Sequence, residues 1–489
     1  MRPLFTSLLA LAFLAGCKST PQPVPDAPVT AASTEVDESW RASQPQPGDA
    51  PEMQLPTFEA ASLDNGMRVL ISRRTELPLV TLAVSCKAGA ALDPKGKAGL
   101  ADISYRMLLE GAGTRDALAF DDAFADLGVS PGVGVGYDGG LLSATVLTEN
   151  ADAALGLLAD ALIRPRLDEA SFKRRHAQTL ANLARLSSVP SHLSAWANAE
   201  AIFGADHPYG ELTGGTEPSV RNIRRADVQR FLKANLGPRV CAVVAAGDIT
   251  LEDAKGLAQK HFGRWKGTAQ PPLAPEVPEL SPRKEVILVE VPDLQQTHVS
   301  VGRPGLTHGD PQEAALDLAT SVFGGMFGSR LNMNLREDKG YTYGAGAYSS
   351  TRLGPGVVGA RSAVRADVTG PSVTEFFKEL EGIHSRPITE QELAEAREGL
   401  LRSTPGDFET IGALAGTASS IFQRDAELDM VATHLAALEA ADLAAVQAAA
   451  DAFLKPELMK LILVGDPETV KSQVGPLNLG TIRSVTLPR

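Results

Sequence analysis

The chain has 489 residues, 44% of them hydrophobic and 21% charged, the composition of an ordinary globular protein with room for more than one core. Its formal net charge of −13 excludes nucleic acid as a partner, because that ligand demands a basic surface. Basic or neutral peptides remain open, since a modest acidic charge steers association without selecting a ligand.

The first elements form an expected leader. Arg2 precedes a mostly apolar run over 4–15, too short to cross a bilayer core of roughly 30 Å as a helix. A short apolar run behind a positive start is the pattern of a signal peptide. It closes on Leu14-Ala15-Gly16-Cys17, which resembles the bacterial lipobox and implies cleavage before Cys17 and lipidation of its thiol. Lys18 follows with no acidic retention signal, so the lipid is expected in the outer membrane, with the globule facing the periplasm. Residues 17–55 are rich in Pro, Ala, Ser, Thr and acidic groups. Such a segment buries too little surface to offset its ordering entropy and is expected to be a flexible tether.

Next comes Asn65-Gly66, a hairpin turn signal between two apolar runs. A strand is predicted over 79–85. A helix is predicted over 99–110, with Leu100, Ile103, Met107 and Leu108 on one stripe. A strand over 141–147 and helices over 151–163 and 168–186 follow, the last with Asp168 as N-cap. A strand over 240–246 runs into Gly247-Asp248. The order then repeats: strands over 286–291 and 298–302, a mostly helical stretch over 311–335, a strand over 356–364, helices over 372–383 and 389–403, and a strand over 458–464 running into Gly465-Asp466. Each closing strand follows a similar helix, Ala226-Asp227-Val228 leading to Phe231-Leu232 and Ala441-Asp442-Leu443 leading to Phe453-Leu454. The two Gly-Asp pairs stand 218 residues apart. That period marks a duplicated domain; solenoid repeats are roughly 20–50 residues. A proline-rich stretch over 269–283 lacks periodicity and is the expected linker between domains at 56–268 and 284–489. Cys86 and Cys241 lie in apolar strand-like runs and are expected as buried thiols. Without a Cys-x-x-Cys pair a thiolate metal site is not expected.

One run carries a family signature. Gly99-Leu100-Ala101-Asp102-Ile103-Ser104-Tyr105-Arg106-Met107-Leu108-Leu109-Glu110-Gly111 resembles the zinc helix of the insulinase/pitrilysin peptidases, in which H-x-x-E-H sits between Gly-Leu-Ala and Met-Leu. Both flanks are present and the centre is changed. Asp102 stands at the first His, Tyr105 at the Glu and Arg106 at the second His. The family's third ligand falls at Asn182 and a supporting acid at Arg175. Positions 102 and 106 share a helix face. Two imidazoles there would make a zinc pair, whereas a guanidinium has no lone pair to give and stays protonated. A tyrosine hydroxyl is a poor base at neutral pH, and Asn182 offers only a neutral carbonyl. The eight histidines are dispersed, with His298 and His308 the nearest in sequence at ten residues apart. His207, in Asp206-His207-Pro208-Tyr209-Gly210, reads as a hydrogen-bonded loop histidine.

The second half resembles the family's C-terminal domain in Phe323-Gly324-Gly325-Met326-Phe327-Gly328-Ser329-Arg330-Leu331, followed by Leu335-Arg336-Glu337-Asp338-Lys339-Gly340-Tyr341-Thr342-Tyr343. In that family an Arg and a Tyr seven residues later hold the substrate backbone. Arg336 and Tyr343 have that spacing. A guanidinium can bind peptide carbonyls and a phenol can donate to one. Gly324, Gly325 and Gly328 would let another chain approach closely. Alternatively, Arg336 pairs with Glu337 or Asp338 and Tyr343 packs in a strand.

The resemblance covers most of the globule and is nearest the short, two-domain branch that includes processing-peptidase subunits. It implies an α+β fold of two homologous domains, each an antiparallel sheet of about five or six strands with helices packed on one face. It further implies a non-catalytic subunit that binds a peptide substrate along a sheet edge. This chain would hold no cofactor, and zinc would sit only in a homologous H-x-x-E-H partner. A scaffold protein on the same fold, or an active zinc peptidase using Asp102 and further ligands, are the competing expectations.

Overall fold

The structure, a computed structural model, describes residues 39–42 and 54–488. The expected leader, Cys17 and nearly all of the expected tether lie outside the described residues. From the tether, Ser39–Ala42 forms a single 3-10 turn.

The globule is built on two six-stranded sheets. The first uses β1 (Glu59–Ser62), β2 (Arg68–Arg73), β3 (Leu79–Cys86), β4 (Gly132–Val135), β5 (Gly140–Leu147) and β6 (Cys241–Gly247), in the order β1-β2-β6-β3-β5-β4. The second uses β7 (Glu285–Glu290), β8 (Gln296–Pro304), β9 (Thr342–Ser350), β10 (Val357–Arg365), β11 (Lys460–Gly465) and β12 (Thr481–Val485), in the order β12-β7-β11-β8-β10-β9. Strand by strand, β2, β6, β3, β5 and β4 correspond to β7, β11, β8, β10 and β9, so the duplication is a structural one and the α+β class holds. Most neighbours are antiparallel, but β2–β6, β7–β11 and β7–β12 are parallel pairs, so each sheet is mixed. The two outer edges also differ: β1 arrives by the Asn65-Gly66 hairpin, with Gly66 at φ 88, whereas β12 is the final strand of the chain.

The central strands show why the sheets need two covers. Cys-Ala-Val-Val-Ala-Ala-Gly of β6 is buried along its whole length, as is all of β3 after Leu79. A strand apolar on both faces must have helices on both sides. One face of each sheet is covered by helices of its own half. The other is covered by a helix from the opposite half. Leu414, Ala415, Ala418, Ile421 and Phe422 of the helix Ile411–Gln423 pack on Leu70, Ala83, Ala242 and Val244 of the first sheet. Leu193, Trp196 and Ala197 of the helix Pro190–Phe203 pack on Ile287, Val289, Ile462 and Val464 of the second. Each large side chain buried in this exchange contributes about 1.5–3 kcal/mol, so the halves are locked to one another through their sheets.

One local expectation is corrected, and two that hold gain detail. Cys86 and Cys241 are not free thiols. Antiparallel pairing of β3 with β6 sets them directly opposite, Cα atoms 4.0 Å apart, and they form a disulfide. Asp168 occupies the N-cap position of the helix Glu169–Leu186, but its carboxylate takes the Arg166 Nε at 2.9 Å and makes no capping bond. The stretch 311–335 is helical only in pieces: the helix Glu313–Thr320 widens into a π turn at Ser321–Gly325 and breaks at Met326, whose backbone is extended. A second π turn spans Met333–Asp338.

Candidate functional site

The helix that carries the changed motif spans Leu100–Leu108. Its flanks are held by structural demands. Gly99 precedes it at φ 93, a left-handed conformation, and a Cβ there would lie 2.7 Å from the Gly214 carbonyl oxygen. Asp93 accepts from the Gly99 and Ala101 backbone N–H groups, both at 2.8 Å, and closes the first turn. Burial pushes the Asp93 carboxyl up to about 7, against the pull of the N–H groups it accepts from.

The three central positions spend their polar atoms inside the protein. Asp102 accepts from Arg106 Nε at 2.8 Å, an ion pair that closes over the face where two zinc ligands would stand. The hydrogen bond to Asp102 keeps Arg106 even more firmly protonated. Tyr105 is 0% exposed and donates to the Ala88 carbonyl oxygen at 2.9 Å. Its burial raises the phenol pKa well above the ordinary range, so it is no base. Gly140 makes room for it: a Cβ there would come within 2.5 Å of the Tyr105 ring. Asn182 is exposed and accepts from Arg185 Nη2 at 3.0 Å. Arg175, where a supporting acid was expected, joins Arg174 in clamping the buried Glu110, with its Nε 3.1 Å from Oε1. Sequence reasoning missed Glu110 as the organising group of that helix pair.

These residues do not fit zinc. A dication here would face a guanidinium already bonded to the one carboxylate, and a phenol hydroxyl turned away into the core. Among the described residues no group of three or more His, Cys, Asp or Glu side chains is placed to hold a metal ion. His207 is a loop residue whose Nδ1 accepts from the Tyr209 N–H at 3.0 Å, which leaves Nε2 to donate to Glu276 O at 2.9 Å.

The second motif region is built differently. Gly324 lies against β9, where a Cβ would stand 2.7 Å from that of Ala347; the close approach expected from another chain is used here by the protein's own strand. Gly325 and Gly328 meet nothing so close. Arg330 binds Glu392 through two bonds of 2.6 and 2.8 Å and also donates to Arg386 O and Pro387 O. It is a structural clamp, and its guanidinium holds the Glu392 carboxyl down at about 2. Asn332 ties the glycine-rich turn to β9 by donating to Phe327 O at 2.7 Å and accepting from Ala345 N at 3.0 Å.

On this framework several groups stand in solvent. Arg336 lies on the second π turn, its guanidinium 4.6 Å over the Phe327 ring and its Nε 3.2 Å from Glu337. Phe327 is 60% and Tyr343 92% exposed. The pairing with Glu337 is thus realised for Arg336, whereas Tyr343 is not packed in its strand.

Immediately after Tyr343, Gly344, Ala345 and Gly346 of β9 enter the wall of a cleft of about 780 Å³. The helix Pro190–Phe203 forms another wall, and Arg352, Arg361 and His298 contribute the charged and titratable groups. No single motif marked this cleft, because its residues come from an exchanged helix, from β8, β9 and β10, and from Tyr137, Tyr209 and Arg352 in separate loops. A second cavity of about 880 Å³ lies in the C-terminal half. Its histidines are engaged with carboxylates: His434 sits 3.3 Å from Asp317, which raises its pKa, and Glu313, despite burial, is held down at about 2 by His308, Thr351 and the Gly309 N–H.

The matches to known proteins fit this geometry. A family model described as insulinase (peptidase family M16) matches residues 68–208, and one described as peptidase M16 inactive domain matches 222–400. An uncharacterized zinc protease, YmxG, of Bacillus subtilis is 23% identical over 334 residues, 68% of this chain and 80% of its own. A protein of Helicobacter pylori named non-peptidase homolog YmxG is 25% identical over 355 residues, 71% of this chain and 79% of its own. Among solved structures, a peptidase M16 inactive domain from Pseudomonas fluorescens superposes with a TM-score of 0.77 at 24% identity, over 84% of this chain and 98% of that one. A protease from Helicobacter pylori superposes with a TM-score of 0.78 at 18% identity, over 84% and 100%. Identities this low establish shared architecture; the first family match lies within the N-terminal half, and the second begins in that half at residue 222 and runs on into the C-terminal half. The chain is a member of the insulinase, or peptidase M16, family.

Proposed function

We propose that this chain is a non-catalytic, peptide-binding subunit of an insulinase-type zinc metallopeptidase in the bacterial envelope. The observation that carries the proposal is the closed Asp102–Arg106 pair beside a buried Tyr105. A helix whose ligand face is already paired has no electrophile to offer a peptide bond, and zinc would sit in a partner carrying H-x-x-E-H. What this chain offers is surface: the exposed Arg336, Phe327 and Tyr343, and two sheets that each end in an edge strand, β4 and β9. An extended peptide adds to such an edge by backbone hydrogen bonds. The Helicobacter relative bears the name of a non-peptidase homologue, which is in keeping with this reading. An envelope location, with a lipid on Cys17, is supported by the leader pattern and by a disulfide of the kind that persists in oxidising compartments.

The test is reconstitution. The purified chain alone should cleave nothing. Mixed with an H-x-x-E-H family member from the same genome, it should give cleavage that Arg336→Ala impairs while the complex still forms. Undiminished cleavage by the Arg336→Ala mixture removes the role given to Arg336, and cleavage by the chain alone removes the proposal.

A further inference from the structure

Among the described residues, seven buried side-chain polar atoms have no hydrogen-bond partner, and two of them, Arg352 Nη1 and Asn198 Oδ1, belong to residues that line the cleft beside β9. One is a donor on a permanent cation and the other an acceptor. Leaving a buried charged donor unmet is costly, so its retention calls for a reason.

Arg352 is held in place by rings. Its guanidinium lies 4.4 Å from the Tyr137 centroid, 4.9 Å from Tyr209 and 5.4 Å from Phe203. Those faces offset part of the charge's desolvation but leave Nη1 without an acceptor. The nearby carboxylate, Asp138, is engaged elsewhere: it accepts from the Tyr209 hydroxyl and, through Oδ2, from the Leu353 N–H at 3.0 Å. Tyr209 in turn accepts from the Gly354 N–H at 3.0 Å, which pins the chain on the C-terminal side of Arg352. The guanidinium is therefore pre-positioned, and a ligand would not bear the cost of ordering it.

The rest of the cleft matches. In a chain of net charge −13, its lining holds Arg352 and Arg361 and no Asp or Glu. His298 is pushed below its ordinary pKa by burial and stays neutral. Asn198 Nδ2 faces the Ser194 carbonyl oxygen and Ser300 Oγ, both at 2.7 Å; because that carbonyl only accepts, the amide orientation is fixed and Oδ1 is the free acceptor. A volume of about 780 Å³ lies within the span typical of ligand sites.

We infer that this cleft is a subsite for a carboxylate of a bound peptide, with Arg352 as its anchor and Asn198 Oδ1 receiving a ligand N–H. The inference rests on the peptide-binding reading above and deepens it by naming the chemistry selected. The carboxylate has two possible sources, a free peptide C-terminus or an Asp or Glu side chain.

The test uses the full chain, immobilised, and three pools of random decapeptides: free C-terminal acids lacking Asp and Glu, C-terminal amides lacking Asp and Glu, and C-terminal amides containing Glu. Retention is read by mass spectrometry and affinities by fluorescence anisotropy. One carboxylate-bearing pool should be retained roughly ten- to a hundredfold better than the acid-free amides, the range for a hydrogen bond to a charged group. Preference for the free acids identifies the C-terminus; preference for the Glu pool identifies the side chain. Arg352→Met should abolish that preference while leaving acid-free amides bound, without lowering the melting temperature. The wild-type comparison needs no variant, so a misfolded Arg352→Met leaves the test intact. Equal retention of all three pools overturns the assignment of the subsite but not peptide binding. Retention of none overturns both.

Discussion

The two motif regions occupy corresponding halves of a duplicated fold and differ most in their tyrosines, Tyr105 fully buried in the first and Tyr343 92% exposed in the second. In the first, Asp102, Arg106 and Tyr105 are matched to one another or to the backbone. In the second, Arg330 and Asn332 are bound internally, Arg336 is paired with the adjacent Glu337, and Phe327 and Tyr343 stand in solvent. Where a side chain's hydrogen bonds end shows its employment. Groups satisfied internally belong to architecture, whereas exposed groups and unsatisfied groups that line a cleft are available to a ligand.

The comparison can be broken by substitution. The largest effect is expected where the halves interlock. Ile421→Ala removes a side chain 0% exposed beneath the first sheet and should cost about 2–5 kcal/mol in urea unfolding. If it costs no more than a surface change, the exchanged helices do not lock the halves. Next is Gly140→Ala, which drives a methyl into the Tyr105 ring and should cost about 1–3 kcal/mol. A neutral result would show that Tyr105 is loosely held and that its position is open to other chemistry.

A smaller effect, with a pH signature, is expected from Glu392→Gln in the second motif region. The Glu392 carboxyl is held at about 2 by Arg330, below the value of 4.5 for a free group, so its stabilisation is complete above pH 4.5 and fades as pH falls toward 2. The pair is partly exposed, which limits the loss in the variant to about 1–2 kcal/mol at neutral pH. The gap between wild type and variant should close in acid; a gap that persists at pH 2 contradicts the clamp. The smallest change in stability, under about 0.5 kcal/mol, is expected for Arg336→Ala and Tyr343→Phe, because both side chains are exposed. Their loss should appear in peptide retention instead, and a large destabilisation would make them structural.

Much of the fold was legible in the sequence because β3, β6 and β11 are largely apolar runs, and the Gly247-Asp248 and Gly465-Asp466 ends announce the duplication. The exchange of helices was not legible. Periodicity tells that Leu193, Trp196 and Ala197 need cover without telling which sheet supplies it. The disulfide was hidden for the same reason, since Cys86 and Cys241 become neighbours only once β3 pairs with β6. At the first motif, the replaced residues were legible but not their satisfaction: the route of Tyr105 to the Ala88 carbonyl depends on packing against Gly140. Arg352 left no trace, because its ring cage is assembled from Tyr137 and from the neighbouring Phe203 and Tyr209, all far from it in sequence.

With Asp102 and Arg106 paired and Tyr105 buried, the helix Leu100–Leu108 has no place for a catalytic metal. The most direct measurement is the zinc content of the full chain, purified without chelators and then titrated with zinc, read together with cleavage of a test peptide. Far less than one zinc per chain, no saturable uptake and no cleavage are expected. A ratio near one, with cleavage that a chelator abolishes and that Asp102→Ala removes, would contradict that expectation.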